Sequence, residues 1–364
     1  MGCSNSEVKA PEGKPKTQKT PVVKEEQQIN KKVSDNLQSS DTEKKNELLL
    51  KENKIDFEKS EKLEKSLEES GSTSYMDLPN YDLFEKFIKI KKVQQFIQNV
   101  VYDGYGDIVN GIFNDIKPII DELFKRFGIT YEIISENKTI NCSGYCIEMS
   151  KPEMSNIDFY FPLFFLNFWF YPSDVFHHKI IKKFIFCEEI IFSTSSYSHT
   201  RAASPEWFQT HSMIYGMKLQ DETYLAEVMH HSLFYYFDYM VSGSRVDPKI
   251  EADWCKLNPS NFTYGRGGEY ERVYIDINKN DKMYFVSHYS MSQCCSDRAE
   301  IYSRLMTKTS EWKDEWSQNI HKKFKKIEEF MKAHSPNYIG INKNYYYERL
   351  QNFLDFFYQN EMKF

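Results

Sequence analysis

Glu227 and His230 stand three residues apart in Leu225-Ala-Glu-Val-Met-His-His-Ser232. On a helix this spacing puts a carboxylate and an imidazole on one face, where together they can move protons or help to hold a metal. His231 is one residue further on, about 100° away around the helix, and points off that shared face. Other metal-ligating side chains are spread along the chain at His211, His288 and the adjacent Cys294 and Cys295, and Glu300 closes the run Ser296-Asp-Arg-Ala-Glu300. A different chemistry is written at the start. Met1-Gly-Cys-Ser-Asn-Ser6 fits the N-myristoylation pattern, with Gly2 exposed once the initiator Met is removed and Ser6 where Ser or Thr is required. Cys3, beside it, is a candidate palmitoyl acceptor. One myristoyl chain holds a protein at a bilayer only marginally, whereas two acyl chains anchor it stably.

These residues need elements to position them. Asp221 and Thr223 are capping candidates for a helix running to about Met240, which carries Glu227 and His230. A short strand is expected at Ser212-Met-Ile-Tyr215, and the C-terminal third reads as helices at about 295–309, 312–333 and 343–358. Upstream, Leu83 to Val100 and Ile108 to Leu123 repeat apolar residues every three or four positions, predicting two amphipathic helices broken at Gly104. Gly128 ends the second, and Ile129-Thr-Tyr-Glu-Ile-Ile134 predicts a strand. A helix is expected near 159–171 and a short one at 174–181. Phe184-Ile-Phe-Cys-Glu-Glu-Ile-Ile-Phe192 predicts one buried strand, and loop follows around Asp247-Pro248 and Asn258-Pro259. The pattern supports an α+β class dominated by helices, with a small sheet.

Residues 1–75 differ in kind from the rest. They are rich in Lys, Glu, Ser, Gln, Asn and Thr, and cannot bury enough apolar surface to offset ordering entropy. Two regions follow: a disordered, acylated tether over 1–75 and a folded domain over 76–364. Lys9, Lys14, Lys16, Lys19 and Lys24 give the tether an attraction for anionic lipid. The whole chain has 364 residues and a net charge of -6, which argues against a nucleic-acid partner. No apolar run reaches the ~20 residues of a membrane-spanning helix, and no secretory signal is present. The scattered cysteines form no disulfide framework, so the expected location is the cytoplasmic face of a membrane. Gly265-Arg-Gly-Gly268 lacks the spacing of a phosphate-binding loop, and no GxSxG elbow is present. His177 and His178, next to Lys179, read as surface residues.

From about Pro172 to Met306 the chain resembles zincin metallopeptidases of the glutamate type, the zinc-binding family found among bacterial lipoproteins and some eukaryotes. The residues that carry the resemblance are Tyr171-Pro172, the strand at 183–192, the helix at Glu227 and His230, and Trp254-Cys-Lys-Leu-Asn-Pro-Ser-Asn-Phe-Thr-Tyr-Gly265. Phe285-Val-Ser-His-Tyr-Ser290 and Ser296-Asp-Arg-Ala-Glu300 complete it. The resemblance implies a zincin-like fold with an HExxH helix, in which two His bind zinc and the Glu activates the metal-bound water. In this register Ala226 replaces the first ligand, and Ser296 replaces the Glu that would be the third. Of the three protein ligands that a catalytic zinc uses, only His230 is left.

The resemblance therefore implies a degenerate peptidase. Glu227 is a remnant general base, His230 a remnant ligand and Glu300 an acid behind the ligand shell. No cofactor is expected unless zinc returns to a site rebuilt from His231, His211, His288, Cys294 or Cys295. The expected function is that of a lipid-anchored, catalytically inactive protein binding a peptide or protein partner. An active zinc peptidase with replaced ligands and a structural membrane-associated scaffold are the alternatives.

Overall fold

The computed structural model describes residues 78–102, 108–176, 181–206, 211–218, 222–242, 248–265, 281–307 and 317–338. Gly2, Cys3 and the expected tether lie outside the described residues. So do Gly104, His177, His178, Arg266 to Gly268, and the helix expected at 343–358.

The first expected helix is two: α1 over Tyr81–Ile88 and α2 over Lys91–Tyr102. The Gln94 side chain donates to the Ile88 carbonyl at 3.0 Å, supplying a partner that a continuous helix would have provided through its backbone. α3 spans Ile112–Phe127 and ends at Gly128, whose φ of 68° suits a residue without Cβ. β1 (Thr130–Ile133) follows, then a hairpin of β2 (Lys138–Cys142) and β3 (Tyr145–Met149). Helix α4 (Met154–Phe168) is buried along almost its entire length. Its polar residues therefore work as cross-links. Asp158 accepts the Gly111 and Phe113 amides at 2.7 and 3.0 Å at the start of α3, and Asn156 donates to Glu188 at 2.6 Å.

Of the short helix expected at 174–181, the described residues hold a 3-10 turn at Ser173–Val175, and 177–180 lie outside the described residues. The expected strand at 184–192 is corrected. It is two strands in different sheets, β4 (Lys183–Cys187) and β5 (Ile190–Thr194). Glu188 and Glu189 make the break: their amides turn away to Ser150, and the Glu188 carboxylate takes Asn156. β6 (Ser198–Arg201), β7 (Ala203–Glu206) and β8 (Ser212–Gly216) complete the strands.

One sheet has the order β1-β4-β8-β7, with β1, β4 and β8 parallel and β7 antiparallel at the edge; the other, β2-β3-β5-β6, is antiparallel throughout. The small sheet expected from sequence is thus two four-stranded sheets. β4 explains how they stack. Phe184 and Phe186 join the helical core, while Ile185 and Cys187 join a second core with Ile147, Met149, Ile190 and Phe192 of the other sheet. A strand buried on both faces has to read as an unbroken apolar run.

Helices α5 (Glu222–Ser242), α6 (Pro248–Cys255), α7 (Cys294–Thr307) and α8 (Gln318–His334) finish the described chain. Residues expected to be loop around Pro248 form α6, with proline at the first helical position, where its missing N–H costs nothing. Among the described residues no helix is long and apolar enough to cross a membrane.

Candidate functional site

α5 and α7 pack side by side and carry the candidate residues. On α5, Ala226 and His230 are both fully buried. The His230 ring is held at both nitrogens, by Asn167 Oδ1 at 3.0 Å and by the Tyr171 hydroxyl at 2.8 Å. The direction of each bond follows from one end. Asn167 Nδ2 donates to the Leu163 carbonyl at 2.8 Å, so its Oδ1 faces the ring and His230 Nε2 carries the proton. Nδ1 then accepts from Tyr171, whose oxygen is left to accept from the Tyr302 hydroxyl at 2.8 Å. Burial pushes the His230 pKa down to about 3, so the ring is neutral across the physiological range.

Glu227 goes elsewhere. Its carboxylate meets Arg304 Nη1 of α7 at 2.7 Å, and Arg304 Nη2 lies 4.0 Å from Glu300. Sequence spacing placed His231 off the candidate face, but its Nε2 comes within 3.8 Å of Glu300. The His231 ring packs against Tyr235 and Tyr289, at centroid distances of 5.9 and 5.7 Å. The side chains of Glu227, His231, Glu300 and Arg304 retain 14–22 % exposure, so they form a rim rather than a core. The structure thus brings Glu227, His231 and Glu300 together, and sends His230 into a separate, fully buried network. Glu227 and His231, one turn apart at i and i+4, share the face that sequence spacing gave to Glu227 and His230.

At the start of α7, Ser296 is buried and Asp297 is fully enclosed. Asp297 Oδ2 accepts from Lys323 at 2.6 Å, Tyr264 at 2.7 Å and Trp254 Nε1 at 2.8 Å. Burial raises the Asp297 pKa and lowers that of Lys323, while their mutual attraction acts in the opposite sense on each and favours the charged pair. Next to it, Arg298 forks onto Asp238 at 2.9 and 3.0 Å. Cys294 is buried and its thiol is pushed up by burial, away from the thiolate form that binds metals. Cys295 donates from Sγ to the Tyr235 hydroxyl at 3.1 Å. His211 is exposed, with a left-handed φ of 52°. Among the described residues no group of three or more His, Cys, Asp or Glu is arranged to hold a metal ion.

The donor set at the expected zinc position does not fit zinc. An alanine and a serine stand at two of the expected ligand positions, and the imidazole at the other has both nitrogens engaged by protein. Arg304 and Lys323 were not singled out from sequence, although both leave a trace there. Arg304 lies four residues after Glu300, on the same helix face. Lys323 occupies an apolar slot in Ile320, Lys323, Ile327, Met331, the buried stripe of α8.

No protein-family model matches the chain, and no curated protein matches it. Among solved structures, one similar chain is a "putative zinc-binding metallo-peptidase" from Bacteroides caccae. It is 13% identical, with a TM-score of 0.37, over 68% of this chain and 94% of that one. A likeness of that size fixes neither a fold family nor an activity.

Proposed function

We propose that this chain is a lipid-anchored, metallopeptidase-like protein without catalytic zinc, which binds a peptide or protein partner at the cytoplasmic face of a membrane. One observation carries the non-catalytic part. His230, the sole remaining zinc-ligand position, spends both ring nitrogens on Asn167 and Tyr171 in the buried interior. A metal would have to break one of those bonds and leave a buried polar group unpaired, at about 1–3 kcal/mol. Glu227, the remnant base, is likewise committed to Arg304. The anchor rests on Met1-Gly-Cys-Ser-Asn-Ser6. The partner-binding surface is the rim of Glu227, His231, Glu300 and Arg304, whose side chains keep 14–22 % exposure.

The test is elemental analysis of protein purified from an acylating eukaryotic host, with the intact mass of the mature N-terminus read on the same sample. Zinc well below one ion per chain, together with a myristoylated Gly2, is expected. Stoichiometric zinc that disappears in His230→Gln would sink the non-catalytic reading, and an unmodified Gly2 would sink the anchor.

A further inference from the structure

α5 and α7 run antiparallel, and three cross-helix pairs follow one another along their seam, each one turn of α5 from the last. Glu227 meets Arg304 at 2.7 Å, His231 meets Glu300 at 3.8 Å, and Cys295 Sγ donates to the Tyr235 hydroxyl at 3.1 Å. The outer two pairs are closed hydrogen bonds, whereas the middle one is longer than a hydrogen bond. Glu300 differs from its neighbours for that reason. Its side chain is only 15 % exposed, yet its carboxylate accepts no hydrogen bond among the described residues; its contacts are His231 Nε2 and, at 4.0 Å, Arg304 Nη2. Glu227, Asp238 and Asp297, on the same two helices, each take a hydrogen bond from a cationic side chain: Arg304 at 2.7 Å, Arg298 at 2.9 Å and Lys323 at 2.6 Å.

The middle pair suits a donor that carries positive charge, because a charge-assisted bond to a partly enclosed carboxylate is of the strong kind. Arg304 does not supply it, since Glu227 holds its Nη1. The seam therefore sets two carboxylates, Glu227 and Glu300, against one permanent cation, Arg304. A metal ion is a poor fit, as no third ligand joins His231 and Glu300 among the described residues. A guanidinium fits better than an ammonium. It forks onto one carboxylate with two parallel N–H···O bonds and stacks its flat face on aromatic rings. Tyr235 and Tyr289 bring two such rings to His231, at the same level of the seam.

We infer that Glu300 receives the guanidinium of an arginine side chain from the bound peptide or protein. This rests on the partner-binding reading of the rim above, and adds to it the residue type that the rim selects. Arg304 is then an internal competitor for the same carboxylate, held back by Glu227.

The experiment pans the full chain, made without acylation, against a displayed library of random linear dodecapeptides, and measures the selected peptides by fluorescence anisotropy. Enrichment of arginine is expected. Replacing that arginine by citrulline, which keeps the shape and loses the charge, should weaken binding to the parent at least about tenfold and leave binding to Glu300→Gln nearly unchanged. Arg304→Gln, which removes the competitor, should tighten binding about threefold to fivefold. Glu148→Gln removes an exposed acid on β3 and controls for general attraction to a chain of net charge -6; it should change binding by less than about twofold. Enriched peptides without arginine, or a citrulline penalty as large in Glu300→Gln as in the parent, overturn the inference and leave the partner reading standing. No enrichment at all removes both. If a thermal melt shows that Glu300→Gln does not fold, Arg304→Gln decides, and unchanged or weaker binding in that variant overturns the inference.

Discussion

His230 and His231 are consecutive on α5 and lead different chemical lives. The first is sealed in a neutral chain with Asn167, Tyr171 and Tyr302; the second faces Glu300 and Arg304 on a part-open rim. Both networks tie α5 to α7, so the difference is not one of location along the sequence. It is one of solvent. In the interior every bond replaces lost hydration, whereas on the rim, where 14–22 % of each side chain stays exposed, water shares part of the load and an ion pair contributes ~1 kcal/mol. Residues that look equally suited to catalysis in sequence thus divide into structural pegs and an adjustable surface. The third network, Asp297 with Lys323, takes the interior case further, since both charges are fully enclosed.

Breaking the interior should hurt most there. Lys323→Met leaves the Asp297 carboxylate buried without its counter-ion and is expected to cost about 3–5 kcal/mol in chemical denaturation. Adding Asp297→Asn should restore part of that loss, because the double variant no longer buries a lone charge. A single variant costing less than about 1 kcal/mol would erase the contrast between interior and rim. His230 gives the next largest effect, through pH. Its folded pKa, about 3, lies below its ordinary value of 6.5, so the folded state binds fewer protons than the unfolded one in that window. The contribution is complete above pH 6.5 and is lost as pH falls toward 3, at about 1.4 kcal/mol per unit, or about 2 kcal/mol by pH 5. His230→Gln should flatten this part of the stability curve. An unchanged slope in that variant would remove His230 as its source.

The contrast between interior and rim also marks where the sequence was legible. Amphipathic spacing located α3, because a helix with one buried face must repeat its apolar residues, whereas α5 was placed from its capping candidates. It did not find the hairpin of β2 and β3 or strand β6, whose exposed faces carry residues such as Thr139, Glu148 and Thr200, and whose inward residues are too few for a pattern. It joined β4 to β5 because two glutamates inside an apolar run give no sign that the chain is changing sheets. For the site, the segments holding Trp254, Tyr264 and Asp297 were selected by resemblance, and the structure gathers them around one carboxylate. Lys323 was invisible beside them because it reaches that carboxylate from 26 residues away. The partner of Glu227 was missed for a simpler reason: side-chain spacing says which residues share a face, not which face turns to solvent.

The rim should give the smallest effect and the sharpest test of the division. Glu227→Ala and Arg304→Ala are each expected to lower stability by about 1 kcal/mol, with a double-mutant coupling of the same size that shrinks in high salt. His231→Ala should cost still less, since its 3.8 Å approach to Glu300 is longer than a hydrogen bond. A coupling above about 2 kcal/mol between Glu227 and Arg304 would mean that the rim is as structural as the interior, and Glu227 would then be a peg like His230. A small coupling would mean that Glu227 and Arg304 could exchange each other for the charges of a bound peptide at little cost in stability, as the proposed binding surface requires.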